Sequence, residues 1–314
     1  MQLVTYRAPG AEEDRLGALD GGDVVDLSAA HARGLAAGPL PPSMLELLRA
    51  GEPALEAARA ALARAREDPD LRTPRAEVRL RAPLPRPNSM RDFMLVEEHV
   101  RNSFGEVPEA WYEIPVYWKG NCDTVYGPDD EVPWPAYTEK LDYELEVGAV
   151  IGRRAARVSV EEAAGCIAGY TIFNDWSARD IQFREMTVGL GPGLGKDFAT
   201  SLGPCLTTAD AIDIATAPMR ARVNGGVWSE GTLGAMRFSF AEVVAHISQE
   251  QPLVPGDVLG SGTVGRGCGL ELDRWIRPGD VVELEVEGIG VLRNRVGSPD
   301  QSARPAVAGA ATPK

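Results

Sequence analysis

The sequence predicts an α+β fold that is mostly β, led by a small α/β unit. Three observations carry the prediction. Apolar residues occupy every odd position from 141 to 151 with acidic residues at 142, 144 and 146, and a similar alternation returns in VVELEVEG at 281–288, as expected for strands. Turn signals such as Asn224-Gly225-Gly226 and Arg277-Pro278-Gly279-Asp280 punctuate the same region. Only residues 43–68, rich in Ala, Arg and Glu, have the composition of a long helical stretch. With 314 residues, 44% of them hydrophobic, the chain can bury a sizeable core.

Taken in order, LVTY, RLGAL and VVDL read as short strands separated by turns such as Asp20-Gly21-Gly22. Ser43 and Pro53 mark helix starts, and AEVRLRAPLPRP then returns to extended chain, stiffened by Pro83, Pro85 and Pro87. A boundary near residue 75 divides a small N-terminal domain (1–75) from a larger catalytic domain (76–296). Within the latter, Ser159 to Glu162 and Ser239 to Glu242 fit the capping box, each opening an Ala-containing helix. Residues 297–314 are polar and small, and are expected to be a disordered tail.

Composition narrows the function classes. A net charge of −14 argues against nucleic acid as partner, because such binding rests on Lys and Arg neutralising phosphates. No apolar run approaches the ~20 residues that span a bilayer, and MQLVTYRAPGAEED lacks the pattern of a signal peptide, so no membrane partner and a cytoplasmic location are expected. Cys122, Cys166, Cys205 and Cys268 are too scattered for a disulfide framework or a zinc site.

Several motifs fail. Residues 189–196, GLGPGLGK, match neither a P-loop nor a G-x-G-x-x-G frame, and there is no G-x-S-x-G or H-E-x-x-H. The positive signal is KLDYELEVGAVI, where Asp142, Glu144 and Glu146 alternate with apolar residues. On one strand face Glu144 and Glu146 stand roughly 6–7 Å apart, able to converge on a hard cation such as Mg²⁺, Ca²⁺ or Mn²⁺. Glu283, Glu285 and Glu287 repeat the same spacing in what reads as a solvated strand, so spacing alone leaves both readings open. FNDWSARDIQ runs from a buried strand into a polar cluster, offering Asp175 as a third ligand, Arg179 as a carboxylate clamp and Gln182 as a neutral donor; a cap with salt bridges is the alternative. Of three histidines, His31 and His246 read as structural, whereas His99, seven residues after Asp92, is the candidate general base.

Five ordered blocks, LDYELEVGAVIG, FNDWSARDIQ, LGKDF, PGDVLGSGTVG and GIGVLRNRV, resemble the fumarylacetoacetate hydrolase family, with the resemblance extending over residues 80–296. It implies a mixed β-sandwich roll and a homodimer. It also implies metal ligation by Asp92, Glu144, Glu146 and Asp175, with His99 activating water, Glu271 orienting His99, and Arg179, Gln182, Lys196 and Thr263 around the substrate or metal. Asn102 stands where the family's shorter decarboxylases carry a glutamate. Met94 and Met186 replace two aromatic substrate contacts and Trp118 stands near a third, so fumarylacetoacetate itself is not the expected substrate.

The expected function is metal-dependent hydrolysis of a C–C bond in a 1,3-diketo acid or acylpyruvate, with Lys196 stabilising the oxyanion. The alternatives are decarboxylation, hydration or tautomerisation of a keto acid at the same site, or a non-catalytic binding protein, against which the four carboxylates and His99 argue.

Overall fold

The computed structural model describes residues 1–300; residues 301–314 of the expected tail lie outside the described residues. Gly297, where that tail was expected to begin, is buried and donates its N–H to the Val132 carbonyl at 2.8 Å.

The architecture is mixed α+β and mostly sheet. A twelve-stranded sheet runs in the order Arg72–Pro74, Asp23–Asp26, Arg15–Asp20, Gln2–Arg7, Thr200–Thr208, Ile167–Asp175, Glu146–Ile151, Asp257–Gly260, Ser89–Phe93 and Tyr117–Gly120, with Arg79–Leu80 and Val125–Tyr126 paired off this path. A five-stranded sheet joins Gly226–Gly231, Met219–Val223, Val281–Val286, Gly290–Val296 and Glu131–Val132. The two share a core to which Ile172 and Cys205 contribute from the large sheet, and Leu284 and Leu292 from the small one. A second core, including Leu3, Leu47, Ala58, Phe173 and Leu206, lies under the helices Met44–Ala50 and Glu52–Ala65. Ile172 and Phe173 enter different cores because successive strand residues face opposite sides. That burial on both faces explains the near-continuous apolar run of the Ile167–Asp175 strand.

Local chemistry sets the element ends. Ser43 caps its helix through the Glu46 N–H, Pro53 sits in the first turn of Glu52–Ala65, and both capping boxes form. Asn224 and Gly225 take φ values of 51° and 78°, which a two-residue hairpin turn of type I′ requires. Along Val281–Val286, Val282, Leu284 and Val286 are buried while Glu283 and Glu285 sit half-buried beside Arg293 and Arg222.

Strand polarity positions the site. Ile167–Asp175 and Asp257–Gly260 run antiparallel to Glu146–Ile151, and Ser89–Phe93 runs parallel to Asp257–Gly260. Three strands therefore end where the fourth begins, bringing Asp92, Glu146, Asp175 and Gly260 to one edge.

The leading segment is tied into this sheet by Gln2–Arg7, with Leu3 in register with Leu206. Leu3 is fully buried. Leu3→Ala is expected to lower global stability by about 2–5 kcal/mol, the usual cost of a large-to-small core change. Urea unfolding followed by tryptophan fluorescence checks this; an unchanged midpoint would place the leading hairpin outside the cooperative unit.

Candidate active site

Asp92 lies near the end of its strand, Glu146 opens the next, and Glu144 precedes it, fixed by a backbone bridge to Cys268 and by its N–H on the Asn174 side-chain oxygen at 3.0 Å. The segment expected as one continuous strand is divided: Leu141–Asp142 pairs with Ser177–Ala178, and Glu146–Ile151 belongs to the large sheet. Both alternating sides are buried, since Tyr143 and Leu145 lie in the core while Asp142, Glu144 and Glu146 are also shielded. Asp142 is occupied by Arg179 and by the Gly269 and Leu270 N–H groups. Asp92, Glu144 and Glu146 bring carboxylate oxygens within 4.8 Å of one another.

Two neighbouring backbones make this approach possible. Gly260 is in register with Asp92, and a Cβ there would lie 2.2 Å from Asp92 Oδ1, so any other residue would displace the carboxylate. Gly262 donates its N–H to Glu146 at 3.1 Å, and Thr263 Oγ1 lies 3.2 Å from the other oxygen.

Charge is compensated only in part. Lys196 Nζ donates to Glu144 Oε2 at 2.6 Å and also to Asp175 Oδ2; Arg179 reaches Glu144 Oε1 at 2.7 Å. Burial opposes ionisation of Glu144, but Lys196 and Arg179 outweigh it and hold its carboxyl well below the ordinary range. Burial pushes Glu146 well up, reinforced by the charges of Asp92 and Glu144. It also raises Asp92 and Asp175 despite the attraction of Lys196. Asp92 Oδ1 and Asp175 Oδ1 are buried without a hydrogen-bond partner. Hard oxygen donors in excess of their counter-charges, two of them unpartnered, fit a divalent cation. Asp175 lies beside this group through its shared contact with Lys196 and is the fourth carboxylate available to such an ion.

His99 projects from the helix Glu97–Phe104 and is buried. Its Nδ1 is 2.9 Å from Glu271 Oε2, and its Nε2 is 3.9 Å from Glu144 Oε1. Glu271 also accepts from Asn102 Nδ2 at 3.0 Å and from the Arg266 and Gly267 N–H groups. Burial disfavours its charge, but the His99 hydrogen bond and these donors prevail, and its carboxyl stays below the ordinary value. Cys268 Sγ donates to Glu271 at 3.4 Å, and burial pushes its thiol well up, so it is a neutral donor here. The four cysteines are unpaired, and His31 and His246 sit on exposed helix faces.

A cavity of about 190 Å³ opens above this cluster, lined at its floor by Asp92, His99, Glu144, Glu146, Arg179 and Lys196. Arg179 donates to Asp142, Glu144 and Gln182 Oε1, which leaves the Gln182 amide donors to the cavity it lines. Trp118 lines the cavity too, with Nε1 3.2 Å from Asp92 Oδ2 and its ring 5.8 Å from Lys196 Nζ. The glycine-rich loop that imitates a phosphate cradle spends its Gly193, Leu194 and Gly195 N–H groups on Glu185. Sequence reading missed Gly260 and Gly262 because their role is to be absent of side chain. It left Asp142 unassigned because its spacing is that of a ligand.

A carboxylate cage at converging strand ends, faced by a histidine–glutamate pair inside a small cavity, defines a metal-binding enzyme of small-molecule chemistry. Residues 90–297 match the model for the fumarylacetoacetate hydrolase C-terminal domain, and the chain belongs to that family. It is 34% identical over 303 residues to a mitochondrial oxaloacetate tautomerase of Homo sapiens, covering 94% of this chain and 91% of the relative. Among solved structures it is similar to a fumarylacetoacetate hydrolase from Exiguobacterium antarcticum (TM-score 0.75, 25% identity, 95% and 100% of the two chains). It is also similar to a maleylpyruvate hydrolase from Sphingobium in complex with manganese(II) and pyruvate (TM-score 0.73, 25% identity, 96% and 100%). No helix of the described residues is long and apolar enough to cross a membrane.

Two outcomes follow from the cage. Gly260→Ala should weaken Mn²⁺ binding at least about tenfold, the scale of outer-shell defects, as read by isothermal titration calorimetry; unchanged affinity would remove Asp92 from the ligand set. Removing the metal with EDTA should lower the melting temperature relative to protein held at a hundredfold excess over Kd, where the linkage is worth about 2.7 kcal/mol. Identical melting curves would leave the cage without a cation.

Proposed function

We propose that the protein catalyses keto–enol interconversion of a small 2-oxo acid, with Mg²⁺ or Mn²⁺ held by Asp92, Glu144, Glu146 and Asp175. The observation that carries this reading is the orientation of His99: Nδ1 on the Glu271 carboxylate, Nε2 directed at the carboxylate cage. A carboxylate on Nδ1 fixes the proton there and leaves Nε2 as the base. The cation, when bound, supplies Lewis acidity towards the carbonyl of the substrate. His99 Nε2 takes a proton from the carbon beside that carbonyl and the proton is returned to the carbonyl oxygen, giving the enol. Glu271 stabilises the imidazolium formed between these two transfers. Lys196, whose ammonium form is strongly favoured by Asp175 and Glu144 despite its burial, balances their charge and keeps them in place. The similarity to an oxaloacetate tautomerase along nearly the whole of both chains supports this reaction over the others.

A second reading keeps the same base and gives it a water to deprotonate, so that a C–C bond of an acylpyruvate is hydrolysed. It is supported by the free Nε2 and by the similarity to a maleylpyruvate hydrolase.

Decay of enol-oxaloacetate absorbance and high-resolution product analysis of acetylpyruvate distinguish the two. Tautomerisation removes the enol signal without releasing two acids; hydrolysis of acetylpyruvate yields acetate and pyruvate. His99→Ala is expected to slow the enol decay roughly 10²–10⁴-fold, the usual worth of a positioned base. Enol decay at the buffer rate with metal-loaded wild-type protein would defeat the tautomerase reading.

A further inference from the structure

We infer that His99 Nδ1, Cys268 Sγ and Glu271 Oε2 form a second cation site, selective for Zn²⁺, and that zinc bound there takes His99 out of service as a base. The site is separate from the carboxylate cage and does not depend on which reaction His99 serves.

The three ligand atoms lie within 4.8 Å of one another. Glu271 Oε2 is 2.9 Å from His99 Nδ1 and 3.4 Å from Cys268 Sγ. Tetrahedral zinc, with bonds of about 2.0–2.3 Å, sets its ligands roughly 3.3–3.6 Å apart. Both separations are close to that spacing, so a small adjustment admits the ion. Glu271 is already held for it, since the Arg266 and Gly267 N–H groups fix its carboxylate.

The donor set and the charge point to the same ion. Imidazole, thiolate and carboxylate together suit zinc, whereas the all-oxygen cage suits Mg²⁺ or Mn²⁺. Zn²⁺, one thiolate and one carboxylate sum to zero, which fits a place where Cys268 and the Glu271 side chain are fully buried. A zinc with three protein ligands completes its shell with water, which is nearest on the side of the exposed Asn102, 3.0 Å from Glu271 Oε1. Spacing among the cysteines hides the site, because only one of the four takes part.

The proton balance explains the loss of the base. Zn²⁺ replaces the Cys268 S–H proton, which is released to solvent. At His99 the metal takes the Nδ1 lone pair, so the single ring proton moves from Nδ1 to Nε2. Nε2–H then faces Glu144 Oε1, 3.9 Å away, and has no lone pair left to accept a substrate proton.

Titration of the full chain with Co²⁺ in excess Mg²⁺, followed in the near ultraviolet, tests the assignment. A sulfur ligand gives an intense thiolate-to-cobalt charge-transfer band, and a cation in the oxygen cage gives none. Stoichiometric Co²⁺ should generate the band, and Zn²⁺ should bleach it by displacement, because thiolate selects zinc. Cys268→Ser should abolish the band, and Cys122→Ser, at the partly exposed cysteine, should keep it. Glu271→Gln retains the thiol and should raise the Co²⁺ needed for half the signal at least about tenfold. No band with the wild type, a band surviving in Cys268→Ser, or an unshifted titration of Glu271→Gln would each overturn the site. In protein that turns over enol-oxaloacetate, Zn²⁺ saturating the site should slow enol decay to the His99→Ala rate; an undiminished rate would overturn the loss of the base. A band in protein without enol turnover would leave the zinc site standing and remove the tautomerase reading alone.

Discussion

The rest of the site depends on the burial of Lys196 between Glu144 and Asp175. These carboxylates come from different segments, one ahead of the Glu146–Ile151 strand and one at the end of Ile167–Asp175, and they meet where water is excluded. Uncompensated, such an approach would be prohibitive, because the Coulomb energy of like charges grows as the local dielectric falls. A single ammonium offsets part of it and fixes the separation of the two strand ends. The remaining surplus, on Asp92 and Glu146, leaves hard oxygen donors in an arrangement that fits a divalent cation rather than a closed salt bridge. An ion bound there would offset a region that is unfavourable in isolation.

Around that cluster the structure assigns each side a different task. The sheet supplies carboxylates from rigid strand ends, with glycines where a Cβ would intrude. The helix carrying His99 faces it across the cavity, and Glu271 from a short helix, Gly269–Leu272, turns the imidazole so that one nitrogen is spent on orientation. Asn102 and two backbone N–H groups hold Glu271 in turn. This arrangement brings His99 Nε2 to the rim of the acidic floor, 3.9 Å from Glu144 Oε1, and leaves the apolar wall to the far side of the cavity.

Much of this was legible along the chain. The mostly-β character, both capping boxes and the Asn224-Gly225 turn follow from local chemistry that needs only a few neighbouring residues. His99 stood out as a base candidate because the other two histidines sit in plain helical or leading segments. The ordered motifs, taken as a resemblance, named the carboxylates and Glu271. Hidden from local reading were the break after Asp142, the identity of the carboxylates that Arg179 pairs with, and the importance of Gly260 and Gly262. These are set by residues distant in sequence, such as the Gly269 N–H that takes Asp142 127 positions away.

The sequence by itself determined the class of fold, several helix caps and turns, and the residue types able to bind a hard cation, because period, capping and turn preference are local properties. Only the tertiary structure decided which acidic alternation became a cage. Glu283 and Glu285 have the spacing of Glu144 and Glu146, yet they lie half-buried beside arginines on the outer face of an interior strand, whereas the other pair lies at a junction of four strand ends. The physical difference is burial: the same side chains keep part of their surface in water in one place and, in the other, are shut away from it.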